Sequence, residues 1–545
     1  MKISRNSDSF FFCNKTFLSA GWIPRLSRGS SINVTLLFLC AAAVPGCGGS
    51  SGNGTNAAAS QARVATNLAQ IAGPNIVATS IKAGVSPFIA ELILGGIDPS
   101  TIRSVAYTIA PKPGSVSAPV NVTYAIAALM SRPHTGASIS LTIFGLYSNY
   151  ANDASIQITF NDSSMTDLSI LVPTKAYTDP TGIYDKPFIV KARPAGSALG
   201  FDFFAMKSAL GTPIIVDTDG EIRWVGAGIT SATSSILTDN RFIIGDQKST
   251  KTYVLELDGT VTALAPLAAP LANFTHNIDP GKWGYLGEFD EAGNIGATVS
   301  EFTTTGKVWN LATIISSYMI SKGDDAGAFV RNGSDWFHIN ATTYDPADNT
   351  VIVSSRENFV IKLDYETGDI IWILGDPTKY WYTFPSLRAK ALVLAPGGLY
   401  PIGQHALSIT SDGLLMLFND GYQSLNQPAG EPAGASRTYS AVSAYAIDAA
   451  TLTATEAWRF DYNETLLSTI CSSAYEALDK SLLVDYAFVA SGTLTRLVGL
   501  DEEHNVVFDF QYANSSGCNT SWNAVPIHLE SMFFLQTFRG NGRGL

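Results

Sequence analysis

The chain has 545 residues, of which 46% are hydrophobic and 15% charged, and this composition excludes an intrinsically disordered protein. The formal net charge of −12 argues against a nucleic-acid-binding protein, since such proteins need a basic face. An anionic small substrate is not excluded, because a local site can be positive on an acidic protein. Short runs of Tyr, Phe, Thr, Val and Ile, with few long helical periods, predict an all-β protein.

Residues 1–47 have the pattern of a secretory signal. Basic residues precede an apolar run over residues 34–44, which is too short to span a bilayer as a mature helix. The run ends in Val-Pro-Gly-Cys, which is similar to a bacterial lipobox and makes Cys47 a candidate for lipidation. Residues 48–74 begin with a Gly- and Ser-rich tract and are predicted to form a flexible linker. We therefore expect an exported, periplasmic protein, anchored to the outer membrane as a lipoprotein.

Residues 75–183 are predicted to form an N-terminal domain. Segment 155–160 alternates polar and apolar residues, as a half-buried strand does, and an apolar segment follows at 168–172. Segments 120–126 and 138–146 have a similar character. This pattern predicts a small β-sandwich, and it contains no obvious group of catalytic residues.

One hairpin pattern recurs six times in residues 184–545. An alternating strand leads through a turn of acidic, small or glycine residues into a second strand that often ends in Trp. The copies lie at residues 213–224, 253–264, 299–309, 360–372, 444–458 and 497–510. Each is typical of the outer hairpin of a four-stranded blade, and six blades close into a ring without a long open edge. The sequence therefore predicts a six-bladed β-propeller preceded by a small N-terminal β-sandwich, with one large sandwich as the less favoured alternative.

Three of the six histidines stand at equivalent places in successive repeats. His276, His338 and His405 each come just before a predicted inner strand. Inner strands line the channel of a propeller, so three blades would bring three imidazoles to one place at its mouth. Arg356 ends the strand that follows the His338 strand, and we expect it to return to the same rim.

Two kinds of chemistry suit converging imidazoles. They can bind a metal ion such as Zn²⁺ or Cu²⁺, or they can act as nucleophile and acid–base groups in group transfer. Arg356 favours transfer, because a guanidinium adds unfavourable charge beside a metal but forms bidentate bonds with a bound sulfate or phosphate. We therefore expect neither a metal nor a cofactor. An alternative stays open, in which each histidine only caps its strand by bonding to a backbone carbonyl.

Three short segments resemble motifs of the bacterial arylsulfate sulfotransferases (ASST-type arylsulfotransferases). They are DWFHIN at residues 335–340, VSSR at 353–356, and Gln404-His405. The resemblance implies a small β-sandwich followed by a six-bladed propeller. It also implies transfer of a sulfuryl group from a phenolic sulfate to a phenolic acceptor, without a nucleotide donor.

The resemblance also assigns roles to the four site residues. It implies that His405 is the nucleophile that becomes sulfated, that His338 and Arg356 hold the sulfuryl oxygens, and that His276 assists binding or proton transfer. Members of the family commonly have a disulfide near the site.

Cys471 and Cys518 are the two cysteines in the body of the chain. In an exported protein two such cysteines most often pair, with two unrelated buried thiols as the alternative. Two further functions stay open: a non-catalytic propeller that binds a ligand or partner, and a metal- or quinone-dependent propeller oxidoreductase. A homodimer formed through the N-terminal domain is also left open.

Overall fold

A computed structural model describes residues 76–131, 138–185, 187–229, 233–247, 249–303, 306–515 and 517–535 of the chain. The predicted signal peptide, the linker and the candidate lipidation site Cys47 lie outside the described residues. Within the described ranges, no helix combines the length and the apolar character needed to cross a membrane.

Seven strands precede residue 180 and belong to two sheets. These strands are β1 (Val77–Ala83), β2 (Ile89–Gly95), β3 (Ile102–Ile109), β4 (Val120–Ala125), β5 (Ser138–Phe144), β6 (Ala151–Phe160) and β7 (Met165–Pro173). One sheet has the order β1-β2-β5, and the other contains β4-β3-β6-β7. The four segments that were predicted as strands from their alternation are confirmed as β4, β5, β6 and β7.

The alternation of β6 shows why its sequence forms a strand with one buried face. Asn152, Ala154, Ile156 and Ile158 are buried, while the residues between them are exposed. A period of two places successive side chains on opposite faces of a sheet, so the apolar set points into one core. This core also includes Trp224, from beyond the N-terminal region.

The remaining strands follow in chain order. They are β8 (Phe188–Lys191), β9 (Phe203–Met206), β10 (Ile214–Asp217), β11 (Ile222–Val225), β12 (Thr233–Thr238), β13 (Arg241–Asp246), β14 (Thr252–Glu256), β15 (Val261–Ala263), β16 (Leu271–Pro280), β17 (Tyr285–Glu291), β18 (Asn294–Phe302), β19 (Lys307–Asn310), β20 (Ile339–Asp345), β21 (Thr350–Ser355), β22 (Val360–Asp364), β23 (Ile370–Leu374), β24 (Val393–Leu394), β25 (His405–Ile409), β26 (Leu415–Asn419), β27 (Ala441–Asp448), β28 (Thr453–Phe460), β29 (Ser473–Glu476), β30 (Leu482–Val489), β31 (Leu494–Leu500), β32 (Val506–Ala513), β33 (Ala524–Ile527) and β34 (Met532–Phe534).

In the described part of the chain, strands β8 to β33 form six sheets, which we call sheets I to VI. Their strand orders are β33-β9-β10-β11 (I), β12-β13-β14-β15 (II), β16-β17-β18-β19 (III), β20-β21-β22-β23 (IV), β25-β26-β27-β28-β24 (V) and β29-β30-β31-β32-β8 (VI). We call β33, β12, β16, β20, β25 and β29 the first strands. From β12 to β33 in chain order, each first strand contacts the next.

All six predicted hairpins are confirmed as antiparallel pairs. They are β10–β11, β14–β15, β18–β19, β22–β23, β27–β28 and β31–β32. In every sheet the hairpin lies on the side away from the first strand. The alternating segments and their glycine turns were therefore sufficient to locate these pairs.

Two strands near the C-terminus complete sheets that begin much earlier in the chain. β33 pairs with β9 and so becomes the first strand of sheet I. β34 pairs in parallel with β4 and joins the N-terminal sheet of β3, β4, β6 and β7. The C-terminal strands thus connect residues more than 300 positions apart in the chain.

In the described ranges, four short α-helices connect strands. They are α1 (Ile126–Met130), α2 (Leu311–Ser321), α3 (Ala326–Phe329) and α4 (Pro385–Arg388). The longest, α2, follows β19 directly, and the Asn310 side chain caps it by accepting a hydrogen bond from the Thr313 N–H. Its buried residues share a core with sheets III and IV.

A disulfide joins Cys471 and Cys518, with an S–S distance of 2.02 Å and a Cα–Cα distance of 6.5 Å. Both cysteines are buried, and Cys471 lies two residues before β29. The expected pairing of these two residues is therefore present.

The fully buried Arg223 connects sheet I to the N-terminal region. Its Nη1 donates to the Asp217 carboxylate at 3.1 Å, and its Nε and Nη2 donate to the Gly145 carbonyl at 3.1 and 2.7 Å. The guanidinium carbon also lies 3.6 Å from the centroid of the Tyr147 ring. Although Arg223 opposes it, burial raises the pKa of Asp217 to about 6.

Replacing Arg223 with Ala should strongly destabilise the fold, because the buried Asp217 carboxylate would lose its charge partner. We expect the free energy of unfolding to fall by about 3–5 kcal/mol. Urea denaturation of Arg223→Ala against wild type measures the loss. The matched control is Arg103→Ala, at an exposed residue of β3, which should change stability by no more than about 0.5 kcal/mol. Equal losses in the two variants would contradict a role for the buried pair.

Candidate active site

Each of the three predicted histidines lies in, or directly before, a first strand whose pairing contains a register shift. The register shifts lie between Phe274 and Ile278 in β16, between Ile339 and Ala341 in β20, and between His405 and Ser408 in β25. A bulge of this kind inserts an extra residue and redirects a side chain. The same irregularity in three consecutive sheets therefore sets the direction of three imidazoles.

Backbone strain accompanies these irregularities. His338 and Ala406, the residue after His405, have φ angles of 49° and 51°, and the neighbouring Cys471 and Ser472 have 62° and 80°. Residues other than glycine rarely occupy this left-handed region, and each costs on the order of 1–3 kcal/mol. Such strain persists where the surrounding contacts enforce it, which is typical of functional sites.

The structure brings the four predicted site residues together. The rings of His276 and His338 have centroids 4.8 Å apart, and His405 interacts electrostatically with His338 and with Arg356. The Arg356 N–H donates to the His338 carbonyl at 3.0 Å. His276, His405 and Arg356 are each 2–3% exposed, and His338 is half-buried.

The contacts of His405 fix its tautomer. Nδ1 lies 2.9 Å from the Gly403 carbonyl oxygen and 3.1 Å from the Asp420 carboxylate. A carbonyl oxygen only accepts hydrogen bonds, so Nδ1 carries the proton. Nε2 consequently keeps its lone pair, and it accepts a hydrogen bond from the Cys471 N–H at 3.2 Å. The imidazole therefore presents an unprotonated, basic Nε2, which accepts a hydrogen bond from a backbone amide.

The electrostatic environment holds His405 and His276 neutral. Burial, together with nearby cationic and imidazole groups, lowers the pKa of both residues well below 6.5. For His405 these neighbours are Arg356 and His338, and for His276 they include Lys207. A neutral imidazole is the form that can attack an electrophile.

The pKa of His338 is shifted in the opposite direction. Burial lowers its pKa, but this effect is outweighed by the Asp335 carboxylate, which lies 2.5 Å from Nδ1, so that the net pKa is raised above 6.5. The site thus holds imidazoles whose pKa values are shifted in opposite directions. This separation of pKa values defines a base and an acid within one cluster.

Arg356 connects three parts of the site. Its Nη1 donates to Glu357 at 3.0 Å, and its Nη2 donates to the Thr469 carbonyl at 3.0 Å, two residues before Cys471. Its Nε is buried and has no hydrogen-bond partner among the described residues. The guanidinium is therefore fixed in place and retains a donor for a bound anion.

Three carboxylates around these residues were not identified from the sequence. Asp335 lies within the DWFHIN segment, three residues before His338, and this spacing was the available signal for it. Asp420 directly follows β26, and Glu357 follows Arg356. Burial raises the pKa of Asp420 well above its usual range, although Arg356 and other cations oppose the shift.

Within the described part of the chain, no group of three or more His, Cys, Asp and Glu residues has an arrangement that could hold a metal ion. Trp336, which belongs to the DWFHIN segment, is buried in the core that contains α2.

Comparisons with known proteins identify the family of the chain. Residues 188–523 match the family described as Arylsulfotransferase (ASST), so the chain belongs to this family. It is 21% identical to the arylsulfate sulfotransferase AssT of Lelliottia amnigena over 560 aligned residues, which cover 80% of this chain and 90% of that protein. It is 28% identical to AssT of Escherichia coli O6:H1 over 153 residues, which cover 25% of this chain and 24% of that protein.

The chain is also similar to solved structures. One is the β-propeller domain of Cps50 (Swd1) from Myceliophteria thermophila, with a TM-score of 0.32 and 11% identity, covering 61% of this chain and all of that domain. Another is BamB from Moraxella catarrhalis, with a TM-score of 0.24 and 11% identity, covering 68% of this chain and 96% of that protein.

The lowered pKa of His405 should contribute to the stability of the fold in a pH-dependent way. Below pH 6.5 the unfolded chain protonates His405 while the folded chain does not, so the wild type loses up to about 1.4 kcal/mol per pH unit through this residue. The contribution is therefore full above pH 6.5 and is lost as the pH falls. Urea denaturation measures the free energy of unfolding of both proteins. On going from about pH 7 to about pH 5, the value for the wild type should fall by more than the value for His405→Ala. A difference that does not change with pH would contradict the lowered pKa.

Proposed function

We propose that this protein is an aryl-sulfate sulfotransferase that moves a sulfuryl group from a phenolic sulfate ester to a phenolic acceptor through a sulfohistidine at His405. One observation carries the proposal. A neutral imidazole with its Nδ1 proton fixed lies beside both a buried guanidinium and a second imidazole with a raised pKa. Membership of the arylsulfotransferase family supports the reaction class.

In the first half-reaction, the Nε2 lone pair of His405 forms a bond to sulfur, and the bond from sulfur to the phenolic oxygen breaks. The electron pair goes to that oxygen, and protonated His338 donates a proton to it, so that a neutral phenol leaves. Asp335 favours the charged form of His338 before this step. The Cys471 N–H that occupies Nε2 at rest must release it, and can then donate to a sulfuryl oxygen.

Sulfation of Nε2 places a positive charge on the His405 ring, and Asp420 is positioned to balance it. The carboxylate lies 3.1 Å from Nδ1 and is fully buried. The charge that develops beside it favours its ionised form. Asp420 and Gly403 together hold the ring in one orientation, as the carboxylate does in a catalytic triad.

In the second half-reaction, a phenolic acceptor attacks the sulfur of the sulfohistidine. His338, now neutral, takes the proton of the acceptor, and the bond from sulfur to Nε2 returns its electron pair to His405. Arg356 and His338 hold the sulfuryl oxygens through both halves, and His276 assists binding. A sulfuryl group carries less charge than a phosphoryl group, so fixed donors are sufficient to stabilise the loose transition state.

We also propose that sheets I to VI are the blades of a six-bladed propeller over residues 184–545, and that the two N-terminal sheets are the β-sandwich of residues 75–183. The succession of contacts between first strands supports this arrangement. Strand β34 is the exception, since it adds to the N-terminal sheet.

We further propose that the protein is exported to the periplasm and anchored to the outer membrane through Cys47. The Cys471–Cys518 disulfide supports export, because such bonds persist in oxidising compartments. A homodimer through the N-terminal domain remains a prediction.

The first test is transfer from a chromogenic aryl sulfate to phenol by the purified protein in the presence of EDTA. We expect phenol-dependent release of the chromophore in the wild type and a loss of about 1000-fold or more in His405→Ala. Mass spectrometry of wild type mixed with donor alone should find one SO₃ group on the peptide that contains His405.

The matched control for this test is His504→Ala. His504 is also a partly buried histidine, but its ring packs against Trp458 and it is not one of the candidate site residues. It should transfer at the wild-type rate. Release that does not depend on phenol would indicate a hydrolase, and a well-folded wild type without release would contradict the proposed reaction.

The acid–base role of His338 has its own test. Asp335→Asn removes the charge that raises the pKa of His338, so the alkaline limb of the kcat profile should move to lower pH. The control is Asp412→Asn, which removes an exposed carboxylate paired with Lys480. An alkaline limb at the same pH in Asp335→Asn would show that His338 does not supply the proton.

A further inference from the structure

A short segment after β26 is held against the site by one buried glutamate. We call residues 422–427 the rim segment. The Glu357 carboxylate accepts hydrogen bonds from the N–H groups of Leu425 and Asn426, at 2.7 and 2.8 Å. Its backbone carbonyl accepts from the side chains of Ser424 and, at 3.0 Å, Gln427. Four hydrogen bonds therefore tie the rim segment to a single residue.

The same carboxylate binds Arg356. Glu357 Oε1 accepts from Arg356 Nη1 at 3.0 Å, while Oε2 accepts from the two backbone amides, and the side chain is 1% exposed. The buried Lys379 donates a hydrogen bond from Nζ to the backbone carbonyl of Glu357 at 3.1 Å. Glu357 thus bridges the guanidinium and the rim segment.

The rim segment also approaches Asp335, the carboxylate that pairs with His338. Asn426 Nδ2 lies 3.5 Å from Asp335 Oδ2, the carboxylate that raises the pKa of His338. The Gln423 carbonyl lies 3.5 Å from Arg356 Nη1. One segment therefore contacts both the guanidinium and the partner of the protonated imidazole.

We propose that Glu357 is a positioning residue that couples the rim segment to Arg356, and that the rim segment recognises the aromatic ring of the phenolic donor and acceptor. This inference rests on the function proposed above. Leu425 is 56% exposed and Tyr422 is half-buried, so the segment offers apolar surface beside the charged groups. An aryl sulfate needs this combination, because its ring is apolar and its sulfuryl group is anionic.

The chemistry of a carboxylate explains why a glutamate occupies this position. An ionised carboxylate has two oxygens that only accept, which suits one guanidinium and two amides. A glutamine has one acceptor oxygen and a donor NH₂ group, so it can serve one side of the bridge and opposes the other. Glu357→Gln therefore breaks the coupling with little change in volume.

The test compares Glu357→Gln with wild type by steady-state kinetics and by calorimetric binding of phenyl sulfate. We expect the KM of the donor and its Kd to rise by about tenfold, which corresponds to one lost charge-assisted hydrogen bond, while kcat falls by less. A loss of correctly folded protein would lower the apparent kcat and leave KM unchanged. The control is Glu366→Gln, at an exposed glutamate paired with Lys282 and Lys307, which should leave all three constants unchanged.

The recognition of the ring is tested with Leu425→Ser and two donors, phenyl sulfate and the larger naphthyl sulfate. We expect KM to rise more for the naphthyl donor, because more apolar contact is lost. Val393→Ser, at a comparably exposed residue of β24, is the control and should change neither constant.

The outcomes separate this inference from the function on which it rests. A wild type that binds phenyl sulfate without turnover contradicts the proposed reaction. In that case the Kd of Glu357→Gln relative to the Kd of the wild type still tests the inference. A wild type that neither binds nor turns over the donor contradicts both. A KM and Kd within about twofold of wild type in Glu357→Gln overturn the coupling, and equal changes for the two donors in Leu425→Ser overturn recognition of the ring.

Discussion

The buried guanidinium of Arg356 is the constraint on which the arrangement of the site depends. A buried positive charge must be paired and hydrogen-bonded, since its desolvation is otherwise too costly. Arg356 meets this requirement with Glu357 and with the Thr469 carbonyl, which belong to sheet IV and to the segment before sheet VI. Satisfying one charge therefore ties the bend between β21 and β22 of sheet IV to the segment that precedes β29 of sheet VI. Burial and the same charge lower the pKa of His405, so that structural and chemical roles coincide in Arg356.

The hairpins and the clustering of the four candidate site residues could be predicted because their signals are local. Alternation with a period of two and glycine turns locate a hairpin within about fifteen residues, and a rare residue type in equivalent positions stands out. The bulges in β16, β20 and β25 could not be predicted, since a register shift depends on the partner strand. The pairing of β33 with β9 was equally inaccessible, because nothing in either segment specifies the other.

The missed carboxylates show where sequence reasoning stopped. Adjacent residues of a strand point to opposite faces, so Arg356 and Glu357 do not suggest a pair. In the structure they lie in a bend after β21, where the Asn358 N–H donates to the Ser355 carbonyl, and both side chains reach the same place. Asp420 joins His405 across a strand pair, since β25 and β26 run antiparallel. Contacts made by turns and by neighbouring strands are therefore the part of the site that the sequence alone does not predict.

The pairing of β34 with β4 and of β33 with β9 has a consequence for how the chain reaches its folded state. Synthesis delivers residues in order, so the N-terminal sheet and sheet I each lack an edge strand until residues 524–534 have been made. An unpaired edge is open to association with other chains, and pairing across such sequence distances is intrinsically slow. The incomplete chain is thus the state most in need of protection from aggregation, and a chain that stops before residue 524 lacks one strand of each of these two sheets.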